Sequence, residues 1–466
     1  MNIQHLRPLL LIAAAAPLAG CGALSGAAHV ATGLTSHQLC SATFVSGLDP
    51  QVIRREAIDP DLGPAHFLVR HDVDRANRAV TASLAGFAPS RAVHRGAAGC
   101  LVLRGAAPPP PPTRPAITAP VPPPLETAAT SPAIEAALDR AFAEPARPAL
   151  RQTKAVVILH RGRIVGERYA AGYGVDTPIT GWSMTKSVTN ALLGVLVAQG
   201  KVSVQGPAPV AAWAAPSDPR HAISIDNLLR MNSGLALGQS LTASPWSAFD
   251  PSARILFAER DKARAAVAAP LKAVPGTDWT YADASTLILS RILRDQAGGD
   301  QAGGDQDALL AFAHRDLFDR LGLEHATLEL DATGTPLGST HMWASARDWA
   351  RLGQLYLDDG KVRGEQILPK GWADYSARPT VGSEAVGYGA GFWTNRGSGE
   401  GVRRRIAWGM PADAFMARGH HGQYVIVVPS ARLVVVRLGT TPTPTSDMET
   451  VARLVGEVIA ATSAPN

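Results

Sequence analysis

The chain has 466 residues, of which 46% are hydrophobic and 18% charged, and 44 basic against 39 acidic residues leave a net charge of +5. This length is enough for more than one folding unit, and ordinary apolar content with a small net charge excludes a chain that is disordered throughout. Aromatic residues make up only 6% of the chain and the basic excess is spread thinly, which argues against a dedicated nucleic-acid-binding protein.

The N-terminus predicts a secretion signal. Arg7 precedes an apolar run over residues 9–18, which is too short to cross a bilayer. The run ends in Leu18-Ala19-Gly20-Cys21, which resembles the lipobox of bacterial lipoproteins, whose cysteine is lipidated and becomes the new N-terminus. We therefore expect a lipoprotein signal peptide over residues 1–20 and a lipid anchor on Cys21 that binds the protein to a membrane. Ordinary cleavage nearby, which would leave Cys21 as a free thiol, is the alternative.

The residues after the lipobox indicate a compartment. By resemblance to lipoproteins of Gram-negative bacteria, Gly22 favours the periplasmic face of the outer membrane, so we expect a protein of the cell envelope. No later stretch of the sequence approaches the ~18 apolar residues of a spanning helix. The compartment is oxidising, so the two remaining cysteines, Cys40 and Cys100, are predicted to form a disulfide; two buried free thiols are the alternative.

Composition divides the rest of the chain into three parts. Residues 21–104 are predicted to form a small separate unit, closed by the disulfide, with strand-like stretches at 42–45 and 100–103 and no visible chemistry. Residues 105–130 are rich in proline and predict a stiff, extended linker. Residues 131–466 are predicted to form one large domain.

The large domain begins and ends with strands. A helix is expected to open at Ser131-Pro132, followed by a hairpin over residues 155–159 and 164–169. A second hairpin, over 424–428 and 433–438, precedes a final amphipathic helix whose apolar residues recur at helical spacing: Met448, Val451, Leu454, Val455 and Val458. This order predicts an α+β fold, in which N- and C-terminal strands form one antiparallel sheet flanked by helices, with a helical subdomain.

The pattern Ser183-x-x-Lys186 opens the apolar run 188–198 and is the strongest chemical signal. A spacing of three places both side chains on one face of a helix, and a lysine held away from water can serve as the base partner of a serine nucleophile. The helix N-terminus also offers backbone N–H groups to a developing oxyanion. A serine N-cap with an exposed lysine is the alternative, because the pattern alone is common.

Two further stretches carry candidate residues. In the loop Trp279-Thr280-Tyr281-Ala282-Asp283, Tyr281 could relay a proton. In Gly419-His420-His421-Gly422-Gln423, the glycines would let a strand edge approach a substrate closely.

These three stretches, in this order, resemble the motifs of the serine β-lactamase and penicillin-binding-protein superfamily. The chain looks most like its class C-type esterases and 6-aminohexanoate-dimer hydrolases, over residues 133 to 460, and three further stretches fit: 226–235, 344–353 and 388–393. The resemblance implies that Ser183 is the acylated nucleophile, Lys186 its base partner and Tyr281 the proton relay. It also implies an oxyanion hole made by the backbone N–H groups of Ser183 and of Gln423, which follows Gly422.

The sequence departs from the family pattern twice. Asp283 stands where the family usually has asparagine, and a carboxylate near Lys186 would favour the ammonium, so Tyr281 could be the effective base. His420-His421-Gly422 stands where enzymes that bind a β-lactam carboxylate usually have Lys-Thr-Gly, so a fixed cation is replaced by histidines expected to be mostly neutral. Packing at the strand edge is the alternative role for this pair, and no neighbouring carboxylate or cysteine in the sequence suggests a metal.

The sequence therefore predicts a serine hydrolase that cleaves a small amide or ester through an acyl-enzyme. One alternative is a β-lactamase or D,D-peptidase acting on peptidoglycan-like substrates, and another is a catalytically silent envelope lipoprotein that only binds. No cofactor, no metal and no nucleic-acid partner are expected, and the sequence indicates no particular oligomeric state. The G-x-S-x-G elbow of α/β-hydrolases does not occur.

Overall fold

Two antiparallel sheets, each covered by helices, organise the chain. The structure is a computed structural model that describes residues 7–108, 110–113, 115, 122–145, 151–240, 247–297, 305–442 and 447–463, with side chains from Leu24 onward. The helices are α1 (Arg7–Phe44), α2 (Pro50–Ile53), α3 (Asp59–Leu62), α4 (Pro132–Phe142), α5 (Thr185–Ala198), α6 (Ile225–Leu229), α7 (Pro251–Phe257), α8 (Lys262–Val267), α9 (Asp283–Ala297), α10 (Gln306–Ala313), α11 (Asp319–Leu321), α12 (Ala346–Leu357), α13 (Trp372–Ala377), α14 (Glu400–Ala407) and α15 (Met448–Ser463).

The strands divide between the two parts of the chain. The N-terminal unit contains β1 (Val69–Asp74), β2 (Ala79–Leu84), β3 (Phe87–His94) and β4 (Cys100–Val102). The large domain contains β5 (Thr153–His160), β6 (Arg163–Tyr169), β7 (Ile179–Thr180), β8 (Thr327–Leu328), β9 (Met342–Ala344), β10 (Lys361–Val362), β11 (Glu365–Gln366), β12 (Trp393–Thr394), β13 (Phe415–Gly419), β14 (Gln423–Val428) and β15 (Leu433–Gly439).

The main sheet joins both ends of the large domain, as predicted. Its strand order is β12-β13-β14-β15-β5-β6, and all neighbours are antiparallel. The β5–β6 turn places Arg161 and Gly162 at φ 52° and 79°, the left-handed pair that a two-residue hairpin turn requires. The α+β architecture is thereby confirmed.

Helices cover both faces of this sheet. Apolar side chains of α4 and α15 pack on one face, and those of α5 and α12 pack on the other. The Ser131 side chain accepts a hydrogen bond from the N–H of Ile134, and Pro132 occupies the first position of α4, as the sequence predicted. The five apolar residues predicted for the final helix are all buried. The two apolar layers fix the sheet whose β13 end reaches the candidate site.

The N-terminal unit contains the predicted disulfide between Cys40 and Cys100, which ties α1 to β4. The predicted strand at residues 100–103 is confirmed by β4, but the predicted strand at 42–45 is wrong. Residues 42–44 form the end of α1 and Val45 lies in the turn that follows. The helix packs against β2 and β3, so tertiary contacts outweigh the strand preference of these residues.

The N-terminal unit is not isolated from the large domain. Val30 and Leu34 of α1 share a buried cluster with Trp182, Leu256 and Phe257. The approach is so close that a Cβ atom on Gly33 would lie 2.4 Å from the carbonyl oxygen of Phe257. The unit has its own sheet, but part of its core consists of side chains from the large domain. The boundaries at residues 21, 105 and 131 stay predictions.

Residues 7–21 of the predicted signal and anchor lie within α1, and residues 1–6 lie outside the described residues. That helix includes Cys21, but no side chain before Leu24 is described, so lipidation stays a prediction. Among the described helices, none has the length and apolar character needed to cross a membrane. The described end of the linker packs beside β6, where the N–H of Ala128 donates to the carbonyl of Ile164 at 2.8 Å.

Candidate functional site

Ser183 lies in a short 3₁₀ turn, Trp182–Met184, directly before α5. The sequence placed Ser183 in the first helical turn, whereas the structure places it just outside. Trp182 has φ 46°, a left-handed conformation that is costly for a bulky residue and must be held by its surroundings. The N–H of Gly181 donates to Met342 O at 2.8 Å, and the Thr185 hydroxyl donates to Trp182 O at 2.7 Å. The turn over residues 181–184, which holds the candidate nucleophile Ser183 and is named the nucleophile turn, is thus fixed from both sides.

Lys186 is buried, with 2% of its surface exposed, which contradicts the alternative of an exposed lysine. Its Nζ donates to Ser183 Oγ at 2.9 Å, to Asp283 Oδ1 at 2.5 Å and to the Ser339 carbonyl at 2.9 Å. An ammonium group has three N–H donors, and each has an acceptor here. The arrangement matches a charged lysine.

The charge of Lys186 is set by two opposing effects. Burial by itself lowers the pKa of this ammonium, but the Asp283 carboxylate and the Tyr281 hydroxyl act in the opposite direction. Their sum raises the pKa of Lys186 above its ordinary value. The sequence predicted that a carboxylate at position 283, in place of the usual asparagine, would favour the ammonium form of Lys186. The direction of the pKa shift agrees with that prediction.

Tyr281 lies beside this pair, at the start of α9. Its ring centroid is 4.9 Å from Lys186 Nζ, and its ring contacts Tyr388 and Trp393 at centroid distances of 5.5 and 5.3 Å. The backbone carbonyl of Tyr281 accepts from the N–H of Ser240 at 2.9 Å. The structure thus brings together the three residues for which the sequence predicted proton transfer.

The third motif forms the turn between β13 and β14. His421 and Gly422 have φ 59° and 78° and reverse the chain direction. Gly419 is the point of closest approach, since a Cβ atom there would lie 2.1 Å from Gly181 O. The free edge at the end of β13 therefore lies directly against the nucleophile turn.

Gln423 occupies a different place from the one expected for an oxyanion-hole residue. It lies in β14, between β13 and β15, and is 1% exposed. Its side chain bridges to the next strand, where Nε2 donates to Gly439 O and Oε1 accepts from Gly439 N. Because β13 contacts the nucleophile turn, the geometry favours the backbone at Gly419 and His420 over that of Gln423.

The histidine pair has a partner that the sequence did not reveal. His420 Nε2 donates to Asp61 Oδ1 at 2.8 Å, and His421 Nε2 lies 3.2 Å from Asp61 Oδ2. Both rings pack against Trp182, at centroid distances of 5.3 and 5.8 Å. Asp61 belongs to α3 of the N-terminal unit, to which the sequence assigned no chemistry. No local signal could have found it, since 359 residues separate Asp61 from His420.

The expectation that both histidines are mostly neutral does not fit the direction of the pKa shift at His420. Burial lowers its pKa, but the nearby Asp61 carboxylate, assisted by Asp283, raises it above the ordinary value against the opposing charge of Arg418. The pKa of His421 falls instead, because of burial and the neighbouring His420 charge. The pKa of Asp61 falls, since the two histidines outweigh the effect of burial.

Two groups of side chains in the described chain have ligand atoms close enough for a metal. One is His37, Glu329 and His341, and the other is Asp61, His420 and His421, which overturns the argument that no carboxylate stands near the pair. In the first group Glu329 Oε1 accepts from the Ser41 hydroxyl and the Cys100 N–H, and His341 Nδ1 lies 2.6 Å from the Thr340 hydroxyl. These atoms already have protein partners, as expected for a network of hydrogen bonds.

Arg418 is a further residue that the sequence analysis missed. It directly precedes Gly419, and its guanidinium lies 5.2 Å from the Trp393 ring centroid. Among the described residues, no carboxylate forms a salt bridge with it. Its position one residue before the motif glycine was the available signal.

Comparison with known proteins agrees with this geometry. The Beta-lactamase family model matches residues 138–460. The 6-aminohexanoate-dimer hydrolase of Paenarthrobacter ureafaciens is 25% identical over 302 residues, covering 63% of this chain and 74% of the relative.

Solved structures show the same fold. A Bacillus anthracis structure assigned to the 6-aminohexanoate-dimer hydrolases aligns with TM-score 0.57 and 22% identity, covering 73% of this chain and 89% of that one. A penicillin-binding-protein homologue from Caulobacter crescentus aligns with TM-score 0.53 and 17% identity, covering 72% and 99%. The chain belongs to the β-lactamase family, and the protein is a hydrolase of that fold.

Proposed function

We propose that this protein is a serine hydrolase that cleaves a small amide or ester through an acyl-enzyme on Ser183. The observation that carries the proposal is the hydrogen bond from the buried Lys186 ammonium to Ser183 Oγ. That bond uses a lone pair of the hydroxyl and leaves its O–H free to be given to a base. The similarity to the Paenarthrobacter hydrolase, whose name specifies a 6-aminohexanoate dimer, supports a small substrate.

The base in this mechanism is Tyr281. Lys186 has all three N–H donors engaged and is held as a cation, so it has no lone pair with which to accept a proton. The cation lies beside the Tyr281 ring and stabilises a phenolate there. The phenolate takes the Ser183 proton as Oγ attacks the carbonyl carbon, and Tyr281 then gives that proton to the leaving group.

The negative charge that develops on the substrate oxygen needs donors. The backbone N–H of Ser183 and the edge of β13 at Gly419 and His420 meet at the nucleophile turn. Backbone donors aimed at such an oxygen stabilise the tetrahedral intermediate by a few kcal/mol, about 100- to 1000-fold in rate. Water then attacks the acyl-enzyme and gives a proton to Tyr281, which passes that proton to Ser183 Oγ as the bond to the acyl group breaks and the acid product leaves.

A fluorophosphonate probe tests the proposal. We expect mass spectrometry of the full-length protein to place one adduct on Ser183, and we expect the Ser183→Ala variant to remain unlabelled. Turnover of p-nitrophenyl esters without hydrolysis of nitrocefin would separate this activity from that of a β-lactamase. A folded wild-type protein that takes no label and hydrolyses no ester would sink the proposal.

A further inference from the structure

We propose that Asp61, from the N-terminal unit, positions His420 as a cationic hydrogen-bond donor of the substrate cleft, so that the enzyme prefers substrates with an anionic group beside the scissile bond. The inference rests on the proposed serine hydrolase function and names a substrate class for it. Asp61 lies outside residues 138–460, the part of the chain that matches the family. It is therefore an addition to the family's domain.

The geometry leaves one ring nitrogen free for a ligand. Asp61 accepts from His420 through Oδ1 and faces His421 through Oδ2, so both Nε2 atoms are engaged. His421 is 2% exposed, and its Nδ1 lies 3.3 Å from Thr441 O. The His420 side chain is 25% exposed, and within the described ranges no protein group hydrogen-bonds to its Nδ1. The donor that a substrate can reach is the Nδ1–H of His420.

His420 also lies next to the turn that holds Ser183. Its ring meets the Trp182 ring edge-on at 5.3 Å, and Trp182 directly precedes Ser183 in the nucleophile turn. Gly419, the residue before His420, touches the backbone of that same turn. A group next to the carbonyl that Ser183 attacks would therefore lie within reach of the imidazolium.

Four groups set the charge of His420. Asp61 and Asp283 favour the imidazolium, while Arg418 and His421 are the nearby basic groups. Lys186 is paired with Asp283 and His420 with Asp61, and Arg418 has no carboxylate partner in the part of the chain that the structure describes. These charges leave the cleft positive overall, which favours an anionic substrate group.

The N-terminal unit holds Asp61 firmly in place. In the same segment, Glu56 pairs with Lys154 of the large domain at 2.8 Å. On α1, Gln38 Nε2 lies 3.1 Å from His341 Nε2. Glu56→Gln is therefore a matched control, since it removes a carboxylate that docks the same segment and does not contact the third motif.

Paired esters test the proposal with full-length protein. The substrates are mono-p-nitrophenyl glutarate, which carries a carboxylate, and the neutral p-nitrophenyl pentanoate. We expect the wild type to favour the glutarate ester and the ratio of the two kcat/KM values to fall about tenfold or more in Asp61→Asn, as for loss of a charge-assisted hydrogen bond. His420→Gln should lower the ratio in the same way, and Glu56→Gln should preserve it. In the wild type the ratio should decline as the pH rises past the pKa of His420.

Several results would overturn this assignment. Equal loss on both esters in Asp61→Asn would mean that Asp61 only supports the fold, and an absent wild-type preference would remove the anionic subsite. If EDTA reproduced the effect of Asp61→Asn and Zn²⁺ reversed it, Asp61, His420 and His421 would be a metal site instead.

If the wild type hydrolyses neither ester, the proposed function fails separately. The anionic subsite is then tested by titrating the protein with glutarate and following the NMR signal of His420. A shift of that signal supports the subsite, and an unchanged signal excludes it.

Discussion

At the scale of single residues, the charge of Lys186 determines which group can act as base. A buried lysine without a partner loses its proton readily, because low polarity disfavours the ammonium. Asp283 reverses this outcome by direct contact with Nζ. A single carboxylate at the third place of the second motif thus separates this site from one in which lysine accepts the serine proton.

Asp283→Asn tests that conclusion by the direction of a pH shift. Without the carboxylate, burial is opposed only by the Tyr281 hydroxyl, so the pKa of Lys186 falls. If Tyr281 is the base, loss of the neighbouring cation weakens its ability to take the serine proton, so the acidic limb of the kcat/KM profile moves to higher pH. The measurement is the pH profile of p-nitrophenyl ester hydrolysis from pH 5 to 10. A limb that stays in place, or moves to lower pH because neutral lysine takes over, would contradict the Tyr281 mechanism.

Among the proposed catalytic residues, the sequence predicts the serine–lysine pair best. Ser183 and Lys186 are three residues apart, and local helix geometry brings such a pair together whatever the rest of the chain does. Its loop made Tyr281 a candidate, but only the resemblance placed it beside Lys186, because that approach depends on how α9 packs beside α5. Arg418 escaped notice because an arginine on a strand has no pattern that distinguishes it from a solvated one.

At the scale of elements, the end of β13 forms one wall of the site. Its free edge meets the nucleophile turn only because Gly419 has no side chain. Hairpin spacing predicted that β14 and β15 are neighbours, but it did not predict β13 or which strand faces the helix N-terminus. In the folded sheet Gln423 lies in the interior, and Gly419 of β13 lies against Gly181.

Gly419→Ala is expected to damage activity more than stability. The added Cβ would lie 2.1 Å from Gly181 O, a backbone atom that cannot rotate away, so the strand edge must shift. We expect at least a tenfold loss in kcat, and overpacking of this kind costs about 1–3 kcal/mol in the free energy of unfolding. Ester hydrolysis and thermal unfolding measure the two effects.

Gly174→Ala is the matched control for that variant. A Cβ atom there finds its nearest neighbour, the Thr177 hydroxyl oxygen, at 3.8 Å. This variant should retain wild-type activity. If Gly419→Ala also retained it, the edge of β13 would have no part in binding the oxyanion.

At the scale of the whole molecule, the N-terminal unit completes the hydrolase domain. It contributes Asp61 to the third motif, and its α1 packs behind the nucleophile turn through Val30 and Leu34. The same helix contacts His341, two residues after the Ser339 carbonyl that accepts from Lys186. Two walls of the site are thus supported by a part of the chain that lies outside the family match.

The contact between the two units makes stability depend on pH. The pKa of Asp61 is lowered in the folded protein, so its contribution is present above the unfolded value of about 3.9 and is lost as the pH falls further. The pKa of His420 is raised, so its contribution is complete below the unfolded value of about 6.5 and is lost as the pH rises through the folded pKa. The pair is therefore strongest between about pH 4 and 6.5.

Asp61→Asn should reveal this dependence in thermal unfolding. At pH 5.5 we expect a loss of about 1–3 kcal/mol, because a buried ion pair with good hydrogen bonds is broken. At pH 9 the loss should be smaller, because the contribution of His420 declines as the pH rises. Calorimetry at the two pH values measures the difference. An identical loss at both would show that the charge of His420 does not stabilise the docked unit.

Sequence alone determined what depends on neighbouring residues. The Ser131 cap, the hairpin turns and the spacing of Ser183 and Lys186 depend on interactions between residues close together in the chain. A short stretch of sequence is therefore enough to predict them. Tertiary structure decided the contacts of Asp283 with Lys186 and of Asp61 with His420, which join residues 97 and 359 positions apart. The packing of helices and sheets decides which charged side chains meet in a buried site. Those contacts shift the pKa values of the side chains of this hydrolase and so set their charge.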